Sequence, residues 1–312
     1  MYRMERAINQ YLQEAQVPEF KRLCELRKKG WANPTGDSFF AKQRETADNA
    51  NANGNTATAR HFYTMMQQIA EDMNRQTGVF NIHLSTCNPP HQPAILDICM
   101  APGGFLAVAL EHNPTTQALA LSLPPEEGGH NIALNLDLYP NLTAHFCDIT
   151  VLATDMGINV AEILPTHPDS SHFLPTHFDP NQKFDLAFCD GQVLRTHTRA
   201  SYREKREATR LNLTQLILSL SHLKPGGTMI VLLHMIEAPN MVQMLYEFSG
   251  FSTVNVYKHT KYHAKRSSFY MAATGIRTDS EEAKSSSRKM ATTMEESGFG
   301  YGVVRYGLCG NR

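Results

Sequence analysis

The chain has 312 residues, 42% of them hydrophobic and 19% charged, with a formal net charge of -1. That length supports one large α/β domain with extensions, or two small domains, and the composition is ordinary for a globular chain. A strongly basic balance is absent, so a nucleic-acid contact would need a local patch. No apolar run approaches the roughly 18 residues of a membrane span.

The N-terminus, Met1-Tyr2-Arg3-Met4-Glu5-Arg6, lacks the apolar core of a signal peptide. Residues 1–29 are predicted as two helices. Ile8, Tyr11, Leu12 and Ala15 share a face before Pro18, and Phe20, Leu23 and Leu26 share another before Gly30. The polar run Asn49 to Asn55 is expected to be a flexible connector. A further helix over Ala57 to Gln76 carries Phe62, Met65, Met66, Ile69 and Met73 on one stripe, with Gly78 as its stop.

From Ala94 strands and helices alternate. The stretch from Ala94 to Phe105 begins as a short buried apolar strand, enters the Pro102-Gly103-Gly104 turn and leads into an apolar helical pattern from Leu106 to Leu110. Glycine removes the Cβ that would keep a ligand off the backbone, and the helix offers its free N–H groups to the crevice. A dinucleotide fingerprint wants G-x-G-x-x-G, and only Gly103-Gly104 is present, so the turn suits a nucleoside without a pyrophosphate. A second strand spans Gln117 to Leu123, a helix is expected near His130 to Leu136, and a third strand runs from Thr143 to Cys147, before Asp148. Pro165 to Gln182 reads as an insertion loop; its His167, His172 and His177 lack the paired short spacing of a zinc site, and no metal is expected.

A fourth strand, Phe184 to Cys189, ends at Asp190; a long amphipathic helix from Tyr202 to Leu220 follows. A fifth strand over Thr228 to His234 begins after the Lys224-Pro225-Gly226-Gly227 turn, a helix spans Ala238 to Phe248, and the last strands are Thr253 to Tyr257 and Ser268 to Thr274. Only about ten residues separate those last two strands, too few for a crossover helix, so they should pair antiparallel beside an otherwise parallel sheet. The six cysteines (Cys24, Cys87, Cys99, Cys147, Cys189, Cys309) form no C-x-x-C pair and read as thiols of a reduced, intracellular compartment, cytoplasmic or nuclear.

In open α/β sheets ligands bind beyond the carboxyl ends of the strands. Asp97, Ser122, Asp148, Asp190 and His234 fall at or near such ends. Each alone would serve as a capping side chain; gathered, they favour a site.

The run Leu96 to Phe105 resembles motif I of the FtsJ-like methyltransferases, which bind S-adenosylmethionine (SAM) and methylate ribose 2′-hydroxyls of RNA, releasing S-adenosylhomocysteine (SAH). The resemblance covers roughly Phe62 to Gly275. It implies a Rossmann-like fold, with a mostly parallel seven-stranded sheet ending in an antiparallel hairpin. With the residue pattern on either side, the expected division is a helical extension over 1–80, the methyltransferase domain over 81–276 and a polar, flexible tail over 277–312. Through the resemblance, Asp97, Cys99, Met100, Ala101, Pro102, Gly103, Gly104 and Phe105, with Ser122 and Leu123, would hold the cofactor. Asp148-Ile149 is similar to the family's adenine-contacting pair, and Phe184 to Asp190 resembles motif IV, whose Asp faces the methyl group. The wording from Cys189 to His197 is similar to FtsJ-domain proteins of filamentous fungi.

The family's Lys-Asp-Lys-Glu tetrad survives only as Asp190. The first lysine position falls near Thr64, with Lys42 as a substitute from the preceding segment; the second falls at Leu232, beside His234; the glutamate position is Ser268. The acid that usually holds the cofactor ribose is missing, and Ser122 or Glu126 must stand in. Asp190 and His234 end neighbouring strands about 4.8 Å apart, so His234 could act as base with Asp190 orienting it. Two basic clusters flank the site. Arg195, Arg199, Arg203, Lys205, Arg206 and Arg210 form one; Lys258, Lys261, Lys265 and Arg266, with His259 and His263, form the other. Arg195, Lys261, Lys265, Arg266 and Ser268 are the expected substrate contacts. The acceptor is expected to be RNA, with a small molecule, or a SAM-binding scaffold without catalysis, as the alternatives.

Overall fold

A computed structural model describes residues 8, 10–52, 56–82, 92–163, 165–195 and 197–298. Cys87, Cys309 and the end of the tail lie outside the described residues. Residues 10–14 are helical, followed by α1 (Pro18–Trp31), α2 (Pro34–Ala52) and α3 (Thr56–Thr77). The alternating core comprises β1 (Ala94–Asp97), α4 (Gly104–His112), β2 (Gln117–Ser122), β3 (Leu142–Phe146), β4 (Phe184–Cys189), α5 (Glu207–His222), β5 (Leu223–His234), α6 (Pro239–Phe251), β6 (Thr253–Tyr257), β7 (Ser268–Ile276) and α7 (Glu281–Gly298).

The seven strands form one sheet in the order β3-β2-β1-β4-β5-β7-β6. β1 to β5 run parallel, and β7 is antiparallel to both β5 and β6. The short β6–β7 connection therefore does what its length dictates. Alternation along each strand supplies two cores. Leu96, Leu121, Ala187 and Val231 face one cluster, closed by Leu216 and Leu218 of α5 and Phe248 of α6. Ile95, Ala120, Phe188 and Ile230 face the other, closed by Phe105 of α4 and by Ile69 and Met73 of α3. Each fully buried side chain of this kind contributes about 1.5–3 kcal/mol.

Four expectations are corrected. Residues 130–135 form no helix, because Ala133 N–H and Leu134 N–H donate to the carbonyl of Pro102 (3.0 and 3.2 Å), away from any helical ladder. The amphipathic helix starts at Glu207 instead of Tyr202, after Arg203 has turned its guanidinium inward. Asn49 to Ala52, expected to be a connector, continue α2, where alanines favour helix. The polar tail forms α7 over Glu281–Gly298: Ser280 Oγ accepts from Ala283 N–H (3.2 Å), two glutamates occupy the first turn, and Ala283, Ser286, Met290 and Met294 make one buried stripe.

Candidate active site

The motif turn is held by its own backbone. Ile98 N–H donates to the Phe188 carbonyl (3.2 Å), Met100 N–H to that of Leu121 (2.9 Å) and Cys99 N–H to Asp97 Oδ1 (3.2 Å). Gly103 adopts φ of 101°, and a Cβ there would meet Leu134 Cβ at 2.8 Å; a Cβ on Gly104 would meet the Tyr63 carbonyl oxygen at 2.5 Å. Both glycines therefore meet a packing requirement of the protein itself. Met100 and Phe105 are likewise core residues.

Beyond the strand ends lies a cavity of ≈ 1020 Å³, at the upper end of the range of about 300–1,000 Å³ common for small-ligand sites. Of the residues expected at a site, Cys99, Ala101, Pro102, Ser122, Leu123, Asp148, Ile149, Asp190, His234, Lys261, Lys265, Arg266 and Ser268 line it, and Asp97, Met100, Gly103, Gly104, Phe105 and Arg195 do not. Ser122 lines the wall where Glu126 does not, and Lys42 reaches it from α2. Phe39 and Phe40 of α2, His61 of α3, Glu207, Tyr262 and Tyr270, none of them singled out in the sequence, also stand in the wall, together with Phe62 from the α3 stripe, His197 from the run after motif IV and His263 from the second basic cluster. Their elements meet only in three dimensions.

Asp148 is both cap and charge partner. Its Oδ1 accepts from Thr150 N–H (2.9 Å) and Thr150 Oγ1 (2.7 Å), and its Oδ2 from Arg203 Nη2 (2.8 Å). Burial works to raise its carboxyl, but Arg203 and Thr150 hold it below the usual carboxylate range. Arg203 also donates to Glu207 (2.9 and 2.8 Å) and to Thr150 Oγ1, and fully buried Arg210 lies 3.5 Å from Asp169. Arg199 turns inward to the Leu194 carbonyl and to Glu204. Arg199, Arg203 and Arg210 of the first basic cluster thus belong to an internal network that ties the insertion to the sheet, while Arg195 and Lys205 stay exposed. His197 stands 3.8 Å from both Asp148 and Glu207.

Asp190 differs. Burial pushes its carboxyl up to about 7, and among the described residues it forms no ion pair. Asp97 is pushed up by burial and by the charge of Asp190. The pairing of Asp190 with His234 is not what the structure contains. His234 Nε2 contacts Gln192 Oε1 (2.8 Å) and its Nδ1 contacts Ser268 Oγ (3.1 Å). Read with the amide as placed, Nε2 carries the proton and Nδ1 accepts from Ser268. Burial, then Arg266 and Lys258, depress the His234 pKa below its ordinary value. Burial also pushes the Cys147 and Cys189 thiols up to about 12 and raises Cys99, so none is a thiolate at neutral pH.

The sheet order, the reversed β7 and a cavity beyond the parallel strand ends define the Rossmann-like methyltransferase fold. The FtsJ-like methyltransferase pattern matches residues 71–275, about two thirds of the chain. The chain belongs to the FtsJ-like methyltransferase family and is a SAM-dependent methyltransferase. No curated protein matches it.

Among solved structures it is similar to human methyltransferase-like protein 13 in complex with SAH (12% identity, covering 66% of this chain and 82% of that one, TM-score 0.36). It is similar also to an rRNA methylase from Streptococcus thermophilus (11%, 68% and 95%, 0.35) and to an O-methyltransferase family protein from Burkholderia thailandensis (12%, 85% and 70%, 0.38). The cavity's chemistry fits the cofactor: Ile98, Leu123 and Ile149 offer apolar surface to an adenine, Ser122 and Asp148 offer polar edges, and Asp190 is a buried carboxyl without an ion-pair partner in the described residues.

Proposed function

We propose that this methyltransferase acts on RNA, at a ribose hydroxyl, with Asp190 and His234 beside the reacting atoms. One observation carries the RNA reading: α2, α3 and the β6–β7 loop line the cavity with Phe39, Phe40, Phe62 and Tyr262 interleaved with Lys261, Lys265 and Arg266. Lys265 Nζ lies 5.4 Å from the Phe39 ring centre and Lys261 Nζ 4.9 Å from that of Tyr262. Aromatic faces that stack bases, set among cations that hold phosphates, are the means by which single strands are bound. The free thiols Cys24, Cys99, Cys147 and Cys189 support an intracellular setting, nuclear or cytoplasmic.

SAM, when bound, supplies a methyl group on a positively charged sulfur. Asp190 in its ionised form attracts that charge. His234, neutral at pH 7 because its pKa lies below the ordinary value, takes the acceptor hydroxyl's proton at Nδ1 while the Ser268 hydroxyl rotates away. Gln192 holds the opposite nitrogen and so fixes the tautomer.

The test is transfer of a labelled methyl group from SAM to total RNA and to a metabolite extract. Labelled RNA is expected. His234→Gln should lower kcat by about 10²–10⁴-fold and leave SAM affinity within a factor of about two. Label in metabolites alone replaces RNA with a small-molecule acceptor, and SAM binding without transfer to either makes the chain a scaffold.

A further inference from the structure

Between Tyr257 and Ser268 the chain carries Lys258, His259, Lys261, His263, Lys265 and Arg266 and no acid, although the whole molecule is close to neutral. This charge is not cancelled inside the loop. Lys258 Nζ donates to the backbone carbonyls of Arg266 (2.6 Å) and Ser268 (2.8 Å), so it fastens the loop without meeting a carboxylate. His259 Nδ1 accepts from Lys261 N–H (3.1 Å) and Tyr262 N–H (3.2 Å), which turns the loop back on itself.

Inside that turn lies His263. It is 7% exposed, lines the cavity and stacks on Tyr270 at 5.4 Å between ring centres. Its buried Nδ1 has no hydrogen-bond partner among the described residues. A buried polar nitrogen left unpaired is costly, and its persistence calls for a partner from outside the protein. Everything charged that faces it is positive or becomes so on protonation: Lys258, Arg266, His259 and His234.

We infer that the β6–β7 loop builds a phosphate subsite beside the methyl-acceptor wall, with the buried His263 imidazole as donor and Arg266 and Lys261 as its outer cations. The inference rests on the reading of that wall as the acceptor side, and it adds the chemical feature by which the acceptor is recognised. A phosphate oxygen accepts from the ring N–H and balances cations that have no carboxylate among themselves; a neutral acceptor would leave both unanswered. The phosphate belongs either to a nucleic-acid backbone or to a free phosphoryl group, and the chemistry at His263 is the same. Burial and the facing cations hold His263 down at about 4, so it is neutral at pH 7; an anion at the subsite reverses the second cause and lifts it.

The experiment follows the His263 ring proton by NMR during a pH titration of the full chain with SAH bound. Separate arms contain chloride, inorganic phosphate, uridine or a short single-stranded oligoribonucleotide, at constant ionic strength. Phosphate and the oligoribonucleotide are expected to raise the His263 pKa by one unit or more, with chloride and uridine leaving it in place. A response to the oligoribonucleotide alone assigns the subsite to a backbone phosphate; a response to inorganic phosphate as well assigns it to any phosphoryl group. His263→Gln should weaken the responding probe's binding about tenfold or more while SAH affinity holds. An unmoved His263 in both anion arms, or unchanged probe affinity in His263→Gln, overturns the subsite. A shifted His263 with no RNA methylation removes RNA as acceptor and leaves the subsite standing, whereas methylated RNA with an unmoved His263 removes the subsite alone.

Discussion

Asp190 is the residue on which cofactor binding should turn, and its behaviour follows from burial without a counter-charge. Below about pH 7 the folded, ligand-free chain holds a proton there. The positively charged sulfur of SAM favours the ionised form, whereas the neutral sulfur of SAH does not. The ratio of SAM to SAH affinity should therefore fall as pH drops below about 7, by at most about tenfold per pH unit. Calorimetry at several pH values measures both ligands, and the amino-acid part they share cancels in the ratio. Asp190→Asn should flatten it. The same carboxyl governs stability. Between about pH 4 and pH 7 the unfolded chain has lost the proton and the folded chain keeps it, so stability declines as pH rises through that window. Asp190→Asn should consequently raise the melting temperature at pH 7.5, by about 1–3 kcal/mol of stability after allowance for partial exposure, and have no such effect near pH 4.

At the scale of elements, β1, β2 and β4 were legible because strands buried on both faces are nearly continuous apolar runs; β1 and β2 end in Asp97 and Ser122, and Asp190 follows β4 directly. Ser122 and Asp190 were found that way. Phe39 and Phe40, on the exposed side of a polar helix, carry no such mark and reach the cavity only through the packing of α2. α7 was hidden for another reason: its stripe is Ala283, Ser286, Met290 and Met294, with too little contrast against a serine-rich background. Burial of the stripe makes a definite expectation. Met294→Ala should cost about 2–4 kcal/mol in denaturant melts, and no loss would mean that α7 does not pack on α5 and α6. The arginines between β4 and α5 misled in the opposite direction, since surface and interior arginines look alike in sequence. Arg203→Met would leave Asp148 and Glu207 buried without their cation, at a cost of about 3–5 kcal/mol. That loss should shrink as acid protonates Asp148, whose carboxyl Arg203 no longer holds down, which thermal melts at pH 7.5 and pH 4.5 would compare.

Across the whole molecule the decisive feature is the placement of charge. Total composition, with a formal net charge of -1, required any polyanion contact to come from a local patch. The fold separates the two candidate patches, because Arg203 and Arg210 of one cluster are spent internally while Lys261, Lys265 and Arg266 of the β6–β7 loop line the cavity. Near-neutrality overall and a local positive mouth are compatible, since screening limits each charge to a range of about 8 Å at physiological ionic strength. RNA affinity should then depend on few contacts. The slope of log affinity against log salt for a single strand should be about -2, as expected for roughly three phosphates at about -0.7 each. Lys261→Gln and Lys265→Gln should each make the slope shallower by roughly one contact's worth, whereas Lys205→Gln, exposed and outside the cavity wall, should leave it unchanged. A slope near zero with tight binding would mean that the rings alone hold the acceptor and that the loop's charge is spent on something else. A slope several times steeper would place additional RNA contacts outside the cavity, where Arg195 lies.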